Sequence, residues 1–572
     1  MKDKILKLLK SNFLFAVVLN TLAMLLCIQL TSFSYNSSDD FYNSLYICQN
    51  HFYFNNSINY ILSTLIGSVQ YVFTNFNCFV LAQVLFSCVA FTSITYVFAD
   101  KFNKKKSLIF SALLLILFAT NHYSYIHSNK TSAILLTAGF IMVLNAIRNK
   151  KYNLPCWIGV TEIAFGSFFN FKYFFVALSF SIAFFIGDMI AKKKYKLPFR
   201  KFFWYFRPFL LMFVFLVLIT VFLNNYSYSV NHASEEAQNY YEYSQLVDSI
   251  DTLPYPDYSK YQEDFNNVGI TTESEYELLK NGYYDKDKSL NTEALKLVSN
   301  LQQNENSKTI LFAVSNVFSD ISNHIISFDN NFIIYLVFIG LVAIFIALHK
   351  NRFIFFPVLY VVFGLIASIL IHYLYIGKTY NVYGIWVMMF VFLLYSIDFE
   401  KTRSFKFESY AKLKSHYAII SLALLAIIFM CNTLIYNANV ATVNKKEIPQ
   451  SLISEIDRHP DRYYVVDPVT FEEFVKYSEN YMHPLWGFRK SFLDNVDGFS
   501  YFHHDSQLRK RNLSENIYEA VLDGNKIFVI DKNITFKKER YLTNNYAQDG
   551  ETVIYEQVNE LNGYKIYQVN IV

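Results

Sequence analysis

The sequence predicts a mainly α-helical, polytopic transmembrane domain followed by a small C-terminal α/β domain. Of its 572 residues, 53% are hydrophobic, 19% are aromatic and only 17% are charged. A soluble chain of ordinary composition has about 25% charged residues. Apolar runs of about 18 residues or more recur along the chain, which is long enough for a helix to cross a bilayer. Because lysines flank many of these runs, membrane spans explain them better than the buried helices of a large soluble core.

The hydropathy of the first 436 residues predicts about eleven spans. The first run follows four lysines and has the flanks of a signal peptide, but no small-x-small cleavage site comes after it. We therefore expect it to be retained as a helix. The predicted spans are 13–33, 77–99, 106–120, 131–148, 155–171, 173–191, 207–224, 331–349, 353–375, 384–398 and 416–436.

The distribution of basic residues predicts how these spans are oriented. Clusters of lysine and arginine occur on the same side of the predicted spans, at 2–10, 101–106, 148–151, 192–201, 350–352 and 401–414. By the positive-inside rule, this side faces the cytoplasm. The first loop (34–76), a long loop (225–330) and the tail (437–572) are then extracytoplasmic. The first half of the long loop is acidic, which fits either a solvated packing segment or a substrate-recognition segment.

The tail from residue 437 to residue 572 has the pattern of a separate α/β domain. The runs "YYVVD" (463–467) and "KIFVID" (526–531) predict buried strands, and alternating runs around Asn562-Gly563 predict a hairpin. The tail has no phosphate-binding glycine loop and no recognisable nucleophile motif. His503, His504 and Asp505 are adjacent on a predicted loop, where side chains seldom converge on one ion. We expect no nucleic-acid partner.

The first external loop carries two adjacent carboxylates. Asp39 and Asp40, in "SYNSSDDFYNSLY" (34–46), follow directly on the first apolar run. Behind them, residues 58–73 place apolar side chains at helical spacing and polar ones on the opposite face. Such a helix can lie in the plane of the membrane surface. If residues 58–73 crossed the membrane instead, every later segment would be inverted, and the basic clusters would no longer lie on one side.

An acidic pair at the membrane face, followed by a surface helix and a return span, resembles the GT-C superfamily of polytopic glycosyltransferases. The matching residues are Asp39 and Asp40, and the segment "YQEDFNNVGITTESEYELLKNGYYDKD" (261–287) is similar to one in uncharacterised bacterial membrane proteins of this type. The resemblance implies transfer of a hexose or pentose from a polyprenyl-phosphate-linked donor to a cell-envelope glycan acceptor, on the extracytoplasmic side of the cell membrane. It also implies a catalytic aspartate in the first external loop. Some members hold a divalent cation, Mg or Mn, for which Asp39 and Asp40 would be the ligands here.

In such a reaction, one carboxylate deprotonates the acceptor hydroxyl. Successive residues of a helix point about 100° apart, so only one of the two aspartates should face the reacting groups, and we slightly favour Asp40. The alternative is that the pair has a capping role, because Ser37, Ser38 and Asp39 are all good N-cap residues for a helix that begins near Asp40.

The departing phosphate needs positive charge, and three lysines at predicted external span ends are candidates: Lys130, Lys172 and Lys378. The alternatives are lysines that reach the lipid headgroups or solvate a turn. Tyr380 accompanies Lys378 where the resembling proteins often have an arginine, so a bidentate phosphate contact is not expected there. His122 and His127 share a loop with Lys130 and are candidates for phosphate or metal binding, or else interfacial polar residues.

Glu162 lies inside the fifth predicted span, where an acid is either functional or paired with a polar residue of a neighbouring span. Two other functions compete with glycosyl transfer. One is a transporter or flippase of lipid-linked saccharide, which the lack of a clear internal repeat disfavours. The other is a membrane scaffold whose tail is a binding module.

Overall fold

A computed structural model describes residues 11–31, 34–35, 40, 43–44, 47, 58–74, 76–250, 253–305, 309–327, 330–349, 351–374, 380–398, 450–471, 495–500, 504–532 and 536–572. Within these residues the protein is mainly α-helical, with a small sheet near the C-terminus, as predicted. Asp39, Lys378, His503 and the predicted span 416–436 lie outside the described residues. Tyr380 begins a helix, but its side chain is not among those described.

The first part of the chain consists of long helices and one short ladder between two loops. Residues Ser34 and Tyr35 pair in parallel with Tyr125 and Ile126. This ladder ties the start of the first loop to the connection between two later helices. The elements are α1 (Asn12–Leu30), β1 (Ser34–Tyr35), α2 (Tyr60–Val72), α3 (Cys78–Phe102), α4 (Lys104–Tyr123), β2 (Tyr125–Ile126), α5 (Ser128–Asn149), α6 (Leu154–Phe169), α7 (Phe171–Ala191) and α8 (Phe199–Asn231).

Four helices of the predicted long loop come next, and four apolar helices follow them, the first of which (Ile310–Ser327) also lies within the predicted loop 225–330. The loop helices are α9 (Glu235–Ile250), α10 (Gln262–Asn267), α11 (Glu273–Lys280) and α12 (Thr292–Glu305). The apolar helices are α13 (Ile310–Ser327), α14 (Asn330–Leu348), α15 (Phe355–Leu374) and α16 (Tyr380–Ser396).

Seven helices among the described residues are long and apolar enough to cross a bilayer, namely α1, α3, α4, α5, α7, α8 and α15. The pair α13 and α14 passes the same test as one unit, although it is bent by 99°. Helices α2, α6 and α16 are apolar but shorter. Every predicted span except 416–436 therefore coincides with a helix, which indicates a multi-pass membrane protein. The total of about eleven spans and their orientation stay predictions.

Helix α5 forms the centre of the membrane part and is almost entirely buried. It packs closely on α6, where Gly139 and Gly159 face each other. A Cβ atom on Gly139 would lie 2.5 Å from the carbonyl oxygen of Gly159. Small residues let helices approach closely in a membrane, where packing contributes much of the association free energy.

Helix α2 confirms the helix predicted at 58–73, but its apolar residues do not form a single contact face. Leu62 and Ile66 are buried together with the polar Ser63 and Gln70, where α2 contacts α3, α6 and α8. Other apolar residues of the predicted stripe, such as Leu65 and Val69, are exposed. In a membrane protein an apolar side chain is equally suited to a lipid-facing or a protein-facing position, so periodicity alone does not tell the two faces apart.

The C-terminal sheet has the strand order β4-β3-β5-β7-β6. Strands β3 and β5 confirm the two predicted buried strands, and β6 and β7 form the predicted hairpin, with positive φ at Asn562 and Gly563. Strand β3 pairs in parallel with β4 and β5, whereas β7 pairs antiparallel with β5 and β6. The elements are α17 (Gln450–Arg458), β3 (Tyr463–Val466), β4 (Val496–Gly498), α18 (His504–Lys510), α19 (Ile517–Val521), β5 (Ile527–Asp531), α20 (Phe536–Tyr546), β6 (Val553–Leu561) and β7 (Tyr564–Ile571).

The long loop and the C-terminal sheet share one hydrophobic core. Buried side chains of residues 250–301 pack with those of residues 463–569. Polar contacts cross the same boundary: Tyr541 and Tyr546 donate hydrogen bonds of 2.8 Å and 2.6 Å to the buried carboxylate of Asp285. Tyr283 donates a hydrogen bond of 2.6 Å to Asp467, which directly follows β3. Burial raises the pKa of Asp285, although the hydrogen bonds from both tyrosines oppose the shift.

Candidate active site around Asp40

Asp40 lies at the N-terminus of the central helix α5. Its two carboxylate oxygens are 3.0 Å and 3.2 Å from the backbone nitrogen of Ser128, whose N–H donates to them. The first N–H groups of a helix have no partner within the helix and carry partial positive charge. A helix start of this kind favours an anion, and here the anion is a side chain of the protein itself. The ladder between β1 and β2 holds the two loops together next to this contact.

Gln83 and His127 make two longer contacts with this carboxylate. The side-chain amide of Gln83, on α3, donates to Asp40 at 3.4 Å, and Nδ1 of His127 lies 3.5 Å from the other oxygen. Gln83 in turn accepts a hydrogen bond from Thr131 of α5. Asp40 is fully buried. Both contacts are longer than an ordinary hydrogen bond, so the Ser128 N–H is the stronger anchor.

His127 is the N-cap residue of α5, and this role fixes its tautomer. The Nδ1 atom accepts a hydrogen bond of 3.0 Å from the backbone N–H of Asn129. A ring nitrogen that accepts a hydrogen bond carries no proton, so the neutral imidazole holds its proton on Nε2. His127 therefore does not donate to Asp40 through Nδ1. The histidine orders the start of the helix on which Asp40 depends.

Lys130 is buried one turn further along the same helix. Its ammonium group donates to the carbonyl oxygen of Tyr125 at 3.2 Å and lies 4.3 Å from the centre of the Tyr125 ring. It also lies 5.2 Å from the centre of the Tyr383 ring, on α16. The charges of Lys130 and Asp40 interact. The structure thus brings two of the predicted residues, an acid and an amine, into one buried cluster.

His122 belongs to the same neighbourhood, at the C-terminal end of α4. It is buried, 5.4 Å from the ring centre of Phe91 and 5.8 Å from that of Tyr383. Within the described part of the chain, neither ring nitrogen has a hydrogen-bond partner. A buried polar group without a partner costs free energy and calls for an explanation, such as a ligand that supplies the partner.

The described part of the chain contains no cluster of side chains arranged to bind a metal ion. Among those residues, no group of three or more histidine, cysteine, aspartate or glutamate side chains is arranged to hold an ion. His122 and His127 both lie near Lys130, but they do not converge with Asp40 into such a group. The predicted divalent cation, with Asp39 as a second ligand, stays a prediction because Asp39 is outside the described residues.

The remaining candidates lie elsewhere in the fold. Lys172, in the first turn of α7, is exposed, and its charge interacts with Asp248 of α9 in the long loop. Glu162 accepts a hydrogen bond of 2.5 Å from Ser93 on α3, which is the paired arrangement that the sequence left open.

Sequence reasoning missed a cavity of about 280 Å³ between α13, α14, α15 and α16. Tyr383 lines this cavity, so its ring belongs both to the cavity wall and to the surroundings of Lys130. His372, also in the wall, has Nε2 2.8 Å from a carboxylate oxygen of Asp320 and Nδ1 2.9 Å from the carbonyl oxygen of Ser368. His372 therefore connects α15 to the Asp320 carboxylate of α13.

Two of the missed residues had a signal in the sequence. Gln83 is a polar residue inside a predicted span, and such residues often serve a specific contact. Tyr383 carries a hydroxyl at the start of the apolar run 384–398, the depth at which tyrosines concentrate in membrane proteins. Ser128 had no such signal, because its backbone rather than its side chain makes the contact with Asp40.

Comparisons of the chain with protein-family models, with curated proteins and with solved structures each return no match.

Proposed function

We propose that the protein is a membrane glycosyltransferase that uses a polyprenyl-phosphate-linked sugar donor and a cell-envelope glycan acceptor, with Asp40 as the catalytic base. The observation that carries this proposal is the buried carboxylate of Asp40 in one cluster with the ammonium group of Lys130. Glycosyl transfer from a lipid phosphate needs both groups, a base for the acceptor and a cation for the departing phosphate.

Asp40 would take the proton of the acceptor hydroxyl as its oxygen attacks the anomeric carbon of the donor. The bond between that carbon and the phosphate oxygen breaks, and the phosphate leaves with the electron pair. The Ser128 N–H keeps the carboxylate in place during this step. An acceptor hydroxyl would replace the longer contact from Gln83, because a hydrogen bond of 3.4 Å costs less to break than the one from Ser128.

Lys130 and His122 are the groups suited to the departing phosphate. The contacts of Lys130 with a carbonyl oxygen and two aromatic rings hold its ammonium group while leaving donors for an anion. The protonated ring nitrogen of the buried His122 can donate a hydrogen bond to the same anion. Tyr380, Lys378 and Lys172 stay further candidates for phosphate contact.

The distribution of lysines supports an extracytoplasmic site. It predicts that α4 ends and α5 begins on the outer side, and the cluster lies at these two helix ends. A donor whose lipid chain stays in the bilayer presents its sugar phosphate at such an end. The placement of the C-terminal domain on the same side belongs to this proposal.

A flippase of lipid-linked saccharide is the second candidate. The 99° bend between α13 and α14 and the cavity beside it favour this function, because broken helices around an internal site are a transporter feature. A flippase moves the donor across the bilayer without breaking its sugar–phosphate bond. Chemical analysis of the donor after incubation separates the two candidates.

The test is sugar transfer by the full-length protein in liposomes. The liposomes contain radiolabelled polyprenyl-phosphate hexoses and pentoses, and a cell-envelope glycan is supplied as acceptor. The Asp40→Asn variant should lower kcat by at least about 100-fold, the lower end of the contribution expected from a general base.

The matched control is Asp100→Asn, the same acid-to-amide change on α3, at a position beside the C-terminal end of α5. Asp100 accepts hydrogen bonds from Asn145 and Asn149 of α5. We expect this variant to transfer sugar within about twofold of the unchanged protein. Equal transfer by Asp40→Asn and Asp100→Asn would remove Asp40 as the base, and an intact donor inside the vesicles would favour the flippase.

A further inference from the structure

The cavity between α13, α14, α15 and α16 is a mostly apolar space within the membrane part. Its wall is formed mostly by aliphatic and aromatic side chains, among them Val317, Val342, Val361 and Trp386. The contact of 2.8 Å between Nε2 of His372 and the Asp320 carboxylate joins α13 to α15 across one side of it. Polar side chains also line the wall, namely Asp320, His324, Asn331, Ser368 and His372, but most of its surface is apolar. Such a surface suits an aliphatic chain better than a sugar, whose hydroxyls need polar partners on all sides.

The ring of Tyr383 lies both in the wall of this cavity and beside the two candidate phosphate-binding residues, Lys130 and His122. Tyr383 lines the cavity, the Lys130 ammonium lies 5.2 Å from its ring centre, and the ring centre of His122 lies 5.8 Å from it. An apolar cavity is therefore adjacent to a buried cation and to a buried imidazole without hydrogen-bond partners in the described residues. This arrangement matches a molecule with one aliphatic chain and one anionic group at its end.

We propose that the cavity binds the isoprenyl chain of a lipid-phosphate substrate, and that Tyr383 positions Lys130 and His122 on the phosphate of the same molecule. This inference deepens the proposed function, and it rests on that function for the identity of the chain. A diacyl phospholipid fits less well, because it brings two chains to a cavity beside a single anion site.

Binding of farnesyl phosphate tests the proposal without any chemical step. The full-length protein is placed in phosphatidylcholine nanodiscs, and native mass spectrometry counts the bound farnesyl phosphate. The Val361→Phe variant fills the cavity from α15 and should weaken binding at least about 10-fold. The matched control is Val362→Phe, the neighbouring residue on the same helix, which is 45% exposed on the outer surface of the bundle. It should bind within about twofold of the unchanged protein.

A second probe separates the chain from the phosphate. Farnesol has the same chain without the anion, so Val361→Phe should weaken binding of farnesol and of farnesyl phosphate alike. Lys130→Met should weaken farnesyl phosphate at least about fivefold and leave farnesol unchanged. Tyr383→Leu keeps an apolar wall but removes the ring, and should reduce the preference for farnesyl phosphate over farnesol.

Several results would overturn the proposal. Equal binding by Val361→Phe and Val362→Phe would remove the cavity as the site, and equal displacement by dioleoyl phosphatidic acid would assign it to phospholipid. Val342→Phe fills the cavity from α14, and it replaces Val361→Phe if the latter does not fold. The binding assay does not involve Asp40, so the outcomes are separable. If Val361→Phe binds farnesyl phosphate normally while Asp40→Asn loses sugar transfer, only the cavity proposal is refuted. If Val361→Phe loses binding while Asp40→Asn transfers sugar normally, only the role of Asp40 as base is refuted.

Discussion

Replacing Asp285 tests whether the long loop and the C-terminal domain are held together by the contacts described above. Asp285→Ala removes the acceptor of two side-chain hydrogen bonds, from the hydroxyl of the buried Tyr541 and from that of the half-buried Tyr546. A buried donor left without a partner costs about 1–3 kcal/mol. We take about 2–4 kcal/mol for the pair, which corresponds to a roughly 30- to 700-fold larger equilibrium constant for local opening. Asp285→Asn keeps an acceptor oxygen and should open much less readily.

Hydrogen–deuterium exchange in the full-length protein measures this opening, through peptides that cover α12 and α20. The control is Asp287→Asn, two residues away, whose exposed carboxylate accepts a hydrogen bond from Asn516. We expect exchange within about twofold of the unchanged protein for that variant. Equal exchange in Asp285→Ala and Asp287→Asn would show that Asp285 does not connect the two segments, and the reasoning from its hydrogen bonds would be wrong.

The pH dependence of the same contact has a definite sign. Burial raises the pKa of Asp285 in the folded protein above the value of an unfolded chain. Between these two values the folded state binds more protons, so the contribution of this group to the free energy of unfolding falls as the pH rises. The favourable contribution is complete below the unfolded pKa of about 3.9 and is lost above the folded pKa. Asp285→Asn should remove this slope, and an unchanged slope would contradict the assignment.

Two further predictions concern the central helix. His127→Ala removes the acceptor for the Asn129 N–H and should lower the free energy of unfolding by about 1 kcal/mol, whereas His127→Asn keeps a capping oxygen and should restore most of it, as measured by thermal unfolding in detergent. A Cβ added at Gly139 would lie 2.5 Å from the Gly159 carbonyl oxygen, and Gly139→Val adds further atoms beyond it. The variant should separate α5 from α6 and reduce the amount of monodisperse protein recovered by size-exclusion chromatography. Normal recovery of Gly139→Val, or full stability of His127→Ala, would contradict these contacts.

The local features of the fold were predictable from the sequence because their signals are local. Apolar runs long enough to cross a bilayer coincide with helices, and Asn562-Gly563 forms the turn of the hairpin because both residues accept positive φ. The partners of Asp40 were not predictable, since Gln83 and Ser128 lie 43 and 88 residues away in sequence. Both partners belong to later helices, α3 and α5, so no pattern within the first loop could reveal them.

The hydrophobic patterns also carried less information where two environments are alike. The apolar stripe of α2 predicted a helix correctly, but Leu62 faces the protein and Leu65 does not, because lipid and protein interior are both apolar. The cavity and the shared core of the long loop and tail arise from side chains on separate elements. Such features depend on tertiary packing, which a single sequence does not encode in any one segment.

The rate of sugar transfer by Asp40→Asn, measured beside Asp100→Asn in the same liposomes, decides whether Asp40 is the catalytic base. If Asp40 is the base, Asp40→Asn loses at least about 100-fold in kcat, with a normal yield of folded protein and a donor KM within about threefold. Transfer by Asp40→Asn at the rate of Asp100→Asn would contradict this role. A loss of folded protein in step with the loss of transfer would make Asp40 an anchor of α5 rather than a base.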